Sequence, residues 1–297
     1  MTNHPAIEGD LLTLIQMAVR EDVGSGDKTV ELAIPANAQG EGLIVARQPC
    51  IVSGLFLLKP ILDQYPCDVE VIMHIPDGST VTISTPIATL RGSVRKILSA
   101  ERVLLNFLGR MSGISTLTEE YVHAVTVRWS LPTPPPAICD TRKTIPGWRL
   151  LDKYAVHCGG GVNHRMGLYD GVMLKDNHLA ALRDRLGGGL TLAELTLQVR
   201  KELDSKIPLW LEVDTLEQFH DALPGGADVI LLDNFSTEQM GEAVALRNAI
   251  GSKPLLEASG GITLKNVAEV AGTGVDRISI GALTRSAKVL DLSMEFA

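Results

Sequence analysis

Residues 228–261 read "DVILLDNFSTEQMGEAVALRNAIGSKPLLEASGG". An apolar run of strand length ends at Asp233, a helical pattern occupies 236–250, and a second apolar run ends at Glu257-Ala258-Ser259 before two glycines. Strand, polar end, helix, strand is the text of a parallel sheet, because parallel neighbours need a crossover that a helix supplies. The rhythm continues on both sides. Further apolar runs end at "AICDTRK" (137–143), "GVMLKDN" (171–177), "LWLEVD" (209–214) and "RISIGAL" (277–283), with helical patterns at 191–203 and 216–223. Six such runs suit an incomplete α/β barrel or an open doubly wound sheet.

The first third is written differently. Residues 7–20 space apolar side chains at helical intervals, and "EDVGSGDKT" (21–29) breaks that pattern into a loop. Short β-type runs follow at 42–47, 68–75, 79–85 and 86–92, with Pro76-Asp77-Gly78 as a turn, which predicts a small antiparallel sheet. Residues 94–128 return to helix, where Ile97, Val103, Leu104, Phe107, Leu108 and Met111 form a stripe with a predicted break at Ser112-Gly113. The clearest linker is "SLPTPPPA" (130–137), since consecutive prolines hold the chain extended and outside a sheet interior.

Composition narrows the function classes. The 297 residues carry 27 Lys and Arg against 35 Asp and Glu, a net charge of -8, and 45% are hydrophobic, which fits a globular protein of one or two domains. An acidic balance argues against nucleic acid or anionic membrane as a partner, because both demand a basic face. Cys50, Cys67, Cys139 and Cys158 are scattered without a C-x-x-C pair, so reduced thiols in a cytoplasm are expected rather than zinc or a disulfide framework. The N-terminus has no signal-peptide pattern, and no apolar run approaches the roughly 20 residues of a membrane span.

In either parallel architecture the carboxyl ends of the strands carry the chemistry. Arg142 and Lys143 end one run and Lys175 the next, and with His164 and Arg165 they make a candidate cationic pocket for several carboxylates or phosphates. Solvated surface charge is the plain alternative. Glu212 and Asp233 interrupt apolar strands, where an unpaired carboxylate is costly. They suit Mg²⁺ completed by substrate oxygens, or structural ion pairs with nearby lysines. The turns Ser259-Gly260-Gly261 and Gly281-Ala282 each precede a predicted helix, the first beginning near Thr263, and together they favour a phosphate site over two mere tight turns. No G-x-S-x-G elbow or transition-metal spacing is present.

Several longer motifs occur in order: "EDVGSGDKT" (21–29), "AERVLLNFLGRMSGIST" (100–116), "DTRKTIPGWR" (140–149), "KYAVHCGGGVNHR" (153–165), "KDNH" (175–178), "LLDNF" (231–235) and "EASGGIT" (257–263). Over nearly its whole length the chain resembles the quinolinate phosphoribosyltransferase family. The resemblance implies an N-terminal α/β sandwich domain (1–116, with 285–297 packing on it) and an incomplete, seven-stranded α/β barrel (117–284). It implies transfer of phosphoribosyl from PRPP to quinolinate with loss of CO₂ and pyrophosphate, giving nicotinate mononucleotide for NAD synthesis. By resemblance Arg142, His164, Arg165 and Lys175 hold quinolinate with Arg102 from a partner subunit, in a homodimer or higher homo-oligomer. Lys143 and Lys175 meet carboxylate or pyrophosphate, and Glu212 and Asp233 meet the ribose and Mg²⁺. The 5′-phosphate falls to Ser259, Gly260, Gly261, Gly281, Ala282 and Leu283. Trp148, where a smaller residue is expected, and the long proline-rich stretch depart from the family pattern. The other readings are a related phosphoribosyltransferase-like protein of molybdenum-transport operons and a catalytically silent ligand-binding protein; none of the residues assigned to chemistry is lost.

Overall fold

The computed structural model describes residues 4–66, 68–127, 129–185, 188–251 and 254–296, so Cys67 lies outside the described residues. The chain divides into two compact units, one of Met1–Glu119, Thr144–Gly160 and Leu283–Ala297, the other of Glu120–Lys143 and Gly161–Ala282.

The first unit begins with α1 (Gly9–Val23), whose spacing buries Leu11, Ile15 and Val19. Gly24 stops it at φ 52°, its N–H donating to the Arg20 carbonyl. Asp27 then accepts the Val30 N–H at 3.0 Å and caps α2 (Lys28–Ala33), so the loop read at 21–29 holds a second helix start. After it come β1 (Gln39–Ala46), β2 (Cys50–Ile51), α3 (Leu58–Leu62), β3 (Val69–Met73), β4 (Thr80–Val81) and β5 (Pro86–Ser93). β5 lies antiparallel between β1 and β3, and the C-terminal strand Leu292–Phe296 pairs with the outer edge of β1 from Ala46↔Leu292 to Gly42↔Phe296.

α4 (Val94–Thr126) runs as one 33-residue helix through Ser112-Gly113, where the sequence predicts a break. The reason is tertiary. A Cβ on Gly113 would stand 1.9 Å from the Lys288 carbonyl oxygen and one on Gly109 2.6 Å from that of Leu290. These glycines admit a passing backbone; as helix formers each costs only about 1 kcal/mol against alanine, which packing of a long helix outweighs. Residues Thr144–Gly160, read in sequence with the 117–284 segment, cluster with the first unit. Their helix α5 (Arg149–Cys158) buries Leu151, Tyr154, Ala155 and Val156. Arg110 of α4 grips the Asp152 carboxylate with Nη2 at 2.8 and 2.9 Å, and Trp148 stacks on Phe107 at 4.6 Å.

The second unit holds one parallel sheet of β6 (Ala137–Cys139), β7 (Val172–Leu174), β8 (Leu209–Val213), β9 (Val229–Asp233), β10 (Leu255–Ser259) and β11 (Arg277–Ser279), in the order β6-β11-β10-β9-β8-β7. The crossovers are α6 (Asp176–Arg185), α7 (Leu192–Glu202), α8 (Leu216–Ala222), α9 (Thr237–Ala249) and α10 (Val267–Gly272). Capping boxes start two of them: Thr191 with Glu194 opens α7, and Ser236 with Gln239 opens α9.

Two observations decide between barrel and open sheet. A seventh position exists as a single parallel bridge, Val162 to Cys139, outside β6. Three residues on, Arg165 Nη1 donates to the Gly171 carbonyl at 2.7 Å, just before β7 at the opposite margin. A flat six-stranded sheet would hold its edges about 24 Å apart at about 4.8 Å per neighbour. The sheet is therefore curled into an incomplete barrel, spanned at its gap by the Arg165 side chain instead of a ladder. The seventh strand escapes a sequence reading because it has shrunk to one bridged residue. No helix among the described residues is long and apolar enough to cross a membrane.

Candidate active site

Strand alternation builds the site. Successive side chains point to opposite faces, so Leu209, Leu211 and Val213, with Ile230 and Leu232, with Leu256 and Ala258, form the fully buried outer layer. The alternate set, Met173, Glu212, Leu231, Asp233, Glu257, Ser259 and Ser279, with Lys175 just past β7, faces a cavity of about 280 Å³. Thr141, Arg142, Lys143, His164 and Arg165 complete its lining.

The cations that the sequence singled out, Arg142, Lys143, His164, Arg165 and Lys175, thus meet at one mouth with the carboxylates Glu212 and Asp233 and with Ser259. Gly281 abuts this group, since a Cβ there would stand 3.1 Å from Lys143 Cδ. Gly260, Gly261 and Ala282 do not line the cavity, and the Leu283 side chain is fully buried. The helix expected near Thr263 starts later, at Val267. Asn266 holds the intervening turn, its Oδ1 accepting the Thr263 N–H at 2.7 Å and its Nδ2 donating to the Gly261 carbonyl at 3.2 Å. The second helix, α11 (Ala282–Arg285), is a single turn. Arg102 sits on α4 in the first unit and lines a different cleft with Asn106 and Leu290.

Thr141, Met173, Leu231, Glu257 and Ser279 line the cavity without having been singled out in sequence. For Glu257 a signal exists: it interrupts "LLEAS" as Glu212 interrupts "LWLEV". Met173 and Leu231 look like ordinary core residues, and only the strand parity shows which face they take.

The electrostatics favour an anionic guest. Arg142 Nε is buried with no hydrogen-bond partner among the described residues. The Arg165 guanidinium is pushed below its usual range, first by burial and then by the charge of Arg142 beside it. Two like-charged guanidiniums thus face one pocket, with Asp170 offsetting part of the Arg165 charge. Lys175 Nζ forms an ion pair with Glu212, which the register enforces by setting Leu174 opposite Leu211. Asp233 accepts Asn234 Nδ2 at 2.8 Å, and the Asn234 N–H donates to the Ser259 carbonyl at 2.9 Å, tying the ends of β9 and β10 together.

Models of known families divide the chain in two. The quinolinate phosphoribosyl transferase N-terminal domain matches residues 27–112, and the C-terminal domain of the same enzyme matches 114–295. The chain belongs to the quinolinate phosphoribosyl transferase family. Among its relatives, the nicotinate-nucleotide pyrophosphorylase (carboxylating) of Mycobacterium leprae is 39% identical over 284 residues, 95% of each chain. The quinolinate phosphoribosyltransferase (decarboxylating) 1b of Nicotiana tabacum is 37% identical over 98% of this chain and 83% of its own. The solved nicotinate-nucleotide pyrophosphorylase of Francisella tularensis superposes with a TM-score of 0.86 at 34% identity, covering 99% of this chain and 100% of its own.

Among the described residues no cluster of three or more His, Cys, Asp or Glu could hold a metal alone. Glu212 and Asp233 nevertheless offer two hard-oxygen donors from adjacent strands into one cavity. That donor set fits Mg²⁺, which dehydrates reluctantly and is commonly bound through one or two carboxylates with substrate oxygens and water.

Proposed function

We propose that this cavity is where the chain carries out its family's reaction, transfer of phosphoribosyl from PRPP to quinolinate with release of pyrophosphate and CO₂. The product is nicotinate mononucleotide, in de novo NAD biosynthesis. The observation that carries this reading is the pair Arg142 and Arg165, like-charged, one with a buried Nε that has no hydrogen-bond partner among the described residues, on a cavity that also presents Lys143, Lys175, Glu212 and Asp233. A pyridine dicarboxylate answers that charge as a single carboxylate would not, since planar guanidinium forks match carboxylates in paired hydrogen bonds.

In this reading Arg142 and Arg165, beside His164, hold the quinolinate carboxylates, with Met173 and Leu231 against the ring. Lys143 and Lys175 meet the pyrophosphate, so the Lys175–Glu212 pair opens when substrates enter. Glu212 and Asp233 face the ribose hydroxyls and hold Mg²⁺, which when bound offsets the negative charge of the pyrophosphate. The 5′-phosphate lies against backbone N–H groups of the Ser259-Gly260-Gly261 and Gly281-Ala282-Leu283 turns. Arg102 reaches quinolinate from a partner subunit, making the active form a homodimer or a larger homo-oligomer. The free thiols Cys50, Cys139 and Cys158 support a reducing compartment, the cytoplasm.

The chemistry needs no protein nucleophile. The pyridine nitrogen forms its bond to the anomeric carbon as the carbon–oxygen bond breaks and its electron pair leaves with pyrophosphate. Lysine charges stabilise that leaving group while carboxylates support the positive charge at the ribose, so positioning and electrostatics supply the rate. The ring nitrogen is now cationic. It therefore stabilises the electron pair left on the ring when the 2-carboxylate departs as CO₂, and a proton takes that place.

The test is to mix purified protein with quinolinate, PRPP and Mg²⁺ and follow all three products. Equimolar nicotinate mononucleotide, pyrophosphate and CO₂ support the reading. Quinolinate binding without turnover would replace it with a silent binding protein.

A further inference from the structure

Glu257 is fully buried under the cavity, and four polar side chains converge on its carboxylate. Ser279 Oγ donates to Oε1, and His164 Nε2 lies 3.2 Å from the same oxygen. Arg277 Nε donates to Oε2 at 2.9 Å, and Trp210 Nε1 approaches that oxygen at 3.3 Å. The His164 ring packs on Trp210 with centroids 4.7 Å apart.

The other ring nitrogen decides the meaning of this cluster. His164 Nδ1 accepts the backbone N–H of Arg165 at 2.7 Å, and the His164 N–H itself donates to Asp140 Oδ1 at 2.8 Å. A nitrogen that accepts an N–H carries no proton, so the imidazole proton sits on Nε2, toward Glu257. Nδ1 is held by the backbone, and Nε2, buried and 3.2 Å from Glu257 Oε1, faces the carboxylate inside the protein. A chain of contacts thus runs from Glu257 through one imidazole tautomer to the backbone of Arg165.

We propose that Glu257 is a positioning residue for quinolinate, acting through His164 to set the place of Arg165, with His164 offering ring and not a nitrogen to the substrate. This rests on the reading of the cavity given above. Burial opposes the Glu257 charge, but the His164 contact, the Arg277 charge and the Ser279 hydroxyl together hold the carboxyl below its usual range, so it accepts from all sides. A glutamine could not. With one acceptor oxygen against four polar side chains, its NH₂ would face either Arg277 and Trp210 or His164 and Ser279. The first would set that NH₂ against a guanidinium that keeps its proton, so the second prevails; it requires Nε2 to lose its proton to Nδ1, where it meets the Arg165 N–H head-on.

The experiment compares wild type with Glu257→Gln. In wild-type protein labelled with ¹⁵N-histidine, the His164 resonances, assigned by their loss in His164→Phe, should report protonated Nε2 and unprotonated Nδ1. In Glu257→Gln that tautomer should be lost, and KM for quinolinate should rise by about tenfold, the scale of one hydrogen bond to a charged group, with KM for PRPP changed by less than about threefold. An unchanged His164 tautomer, or equal losses for both substrates, overturns the proposal. Should Glu257→Gln fail to fold, the wild-type spectrum still decides: a proton on Nδ1 refutes it. Absence of turnover in wild type would count against the assignment of the reaction and leave the tautomer result standing.

Discussion

Alanine at position 260 would place its Cβ 2.1 Å from Asn234 Oδ1, 2.7 Å from Cγ and 2.9 Å from the Asn234 backbone nitrogen, at φ +89°. Its neighbour is a natural control, because Gly261 has φ +61° and nothing within 4 Å of a Cβ. Left-handed backbone costs an alanine about 1–2 kcal/mol, so Gly261→Ala should lose about that much. Gly260→Ala bears a similar conformational cost plus an overlap that overpacking data put at about 1–3 kcal/mol, for a total of about 2–5 kcal/mol. Asn234 cannot easily give way, since its N–H is bound to the Ser259 carbonyl and its side chain to Asp233. Any retreat carries Asp233 with it, so KM for PRPP should rise further in Gly260→Ala than in Gly261→Ala. Urea unfolding followed by far-ultraviolet circular dichroism gives the stabilities, and initial rates against PRPP give the second quantity. Equal stability of the two variants, or a wild-type KM in Gly260→Ala, would refute the argument that Gly260 is there for close approach to Asn234.

Three further outcomes are expected. Arg142→Lys keeps the charge but loses the guanidinium fork, so KM for quinolinate should rise by about 10- to 100-fold, equivalent to about 1.5–3 kcal/mol for a charge-assisted hydrogen bond; steady-state rates at saturating PRPP measure it. Arg110→Ala removes the two-pronged partner of the fully buried Asp152 and should destabilise the protein by about 3–5 kcal/mol, while the added change Asp152→Asn should recover part of that loss in a double-mutant cycle. The Glu257 carboxyl is held at about 2 against an ordinary 4.5, so the unfolded chain takes up this proton first. Its stabilisation, on the order of 3 kcal/mol, is then fully present above about pH 4.5 and lost as pH falls towards 2; Glu257→Gln should flatten the stability profile over that window.

Much of the barrel was legible because it depends on short-range pattern. Six of the apolar runs became strands, and Arg142, Lys143, Lys175, Glu212, Asp233 and Ser259 lie where the strand-end rule put them, around one cavity. The rule works since parallel strands all point their carboxyl ends the same way, so a local reading of each run suffices. The ion pair of Lys175 with Glu212 was visible only as one of two options, and the register of β7 against β8 brings the partners together.

The chain's text by itself determined the class of architecture, the family and the charged residues of the site, because periodicity and residue chemistry are properties of neighbours along the chain. The tertiary structure alone decided the rest. Whether α4 breaks at Gly113 depends on a backbone 175 residues away at Lys288. Whether six strands lie flat or curl depends on Arg165 reaching Gly171. Whether Glu257 is a stray charge or the acceptor at the centre of four polar side chains depends on β8, β10, β11 and the 164–165 segment meeting at one point. Each is a contact between residues remote in sequence, made specific by distances of a few tenths of an ångström, and no pattern read along one strand contains them.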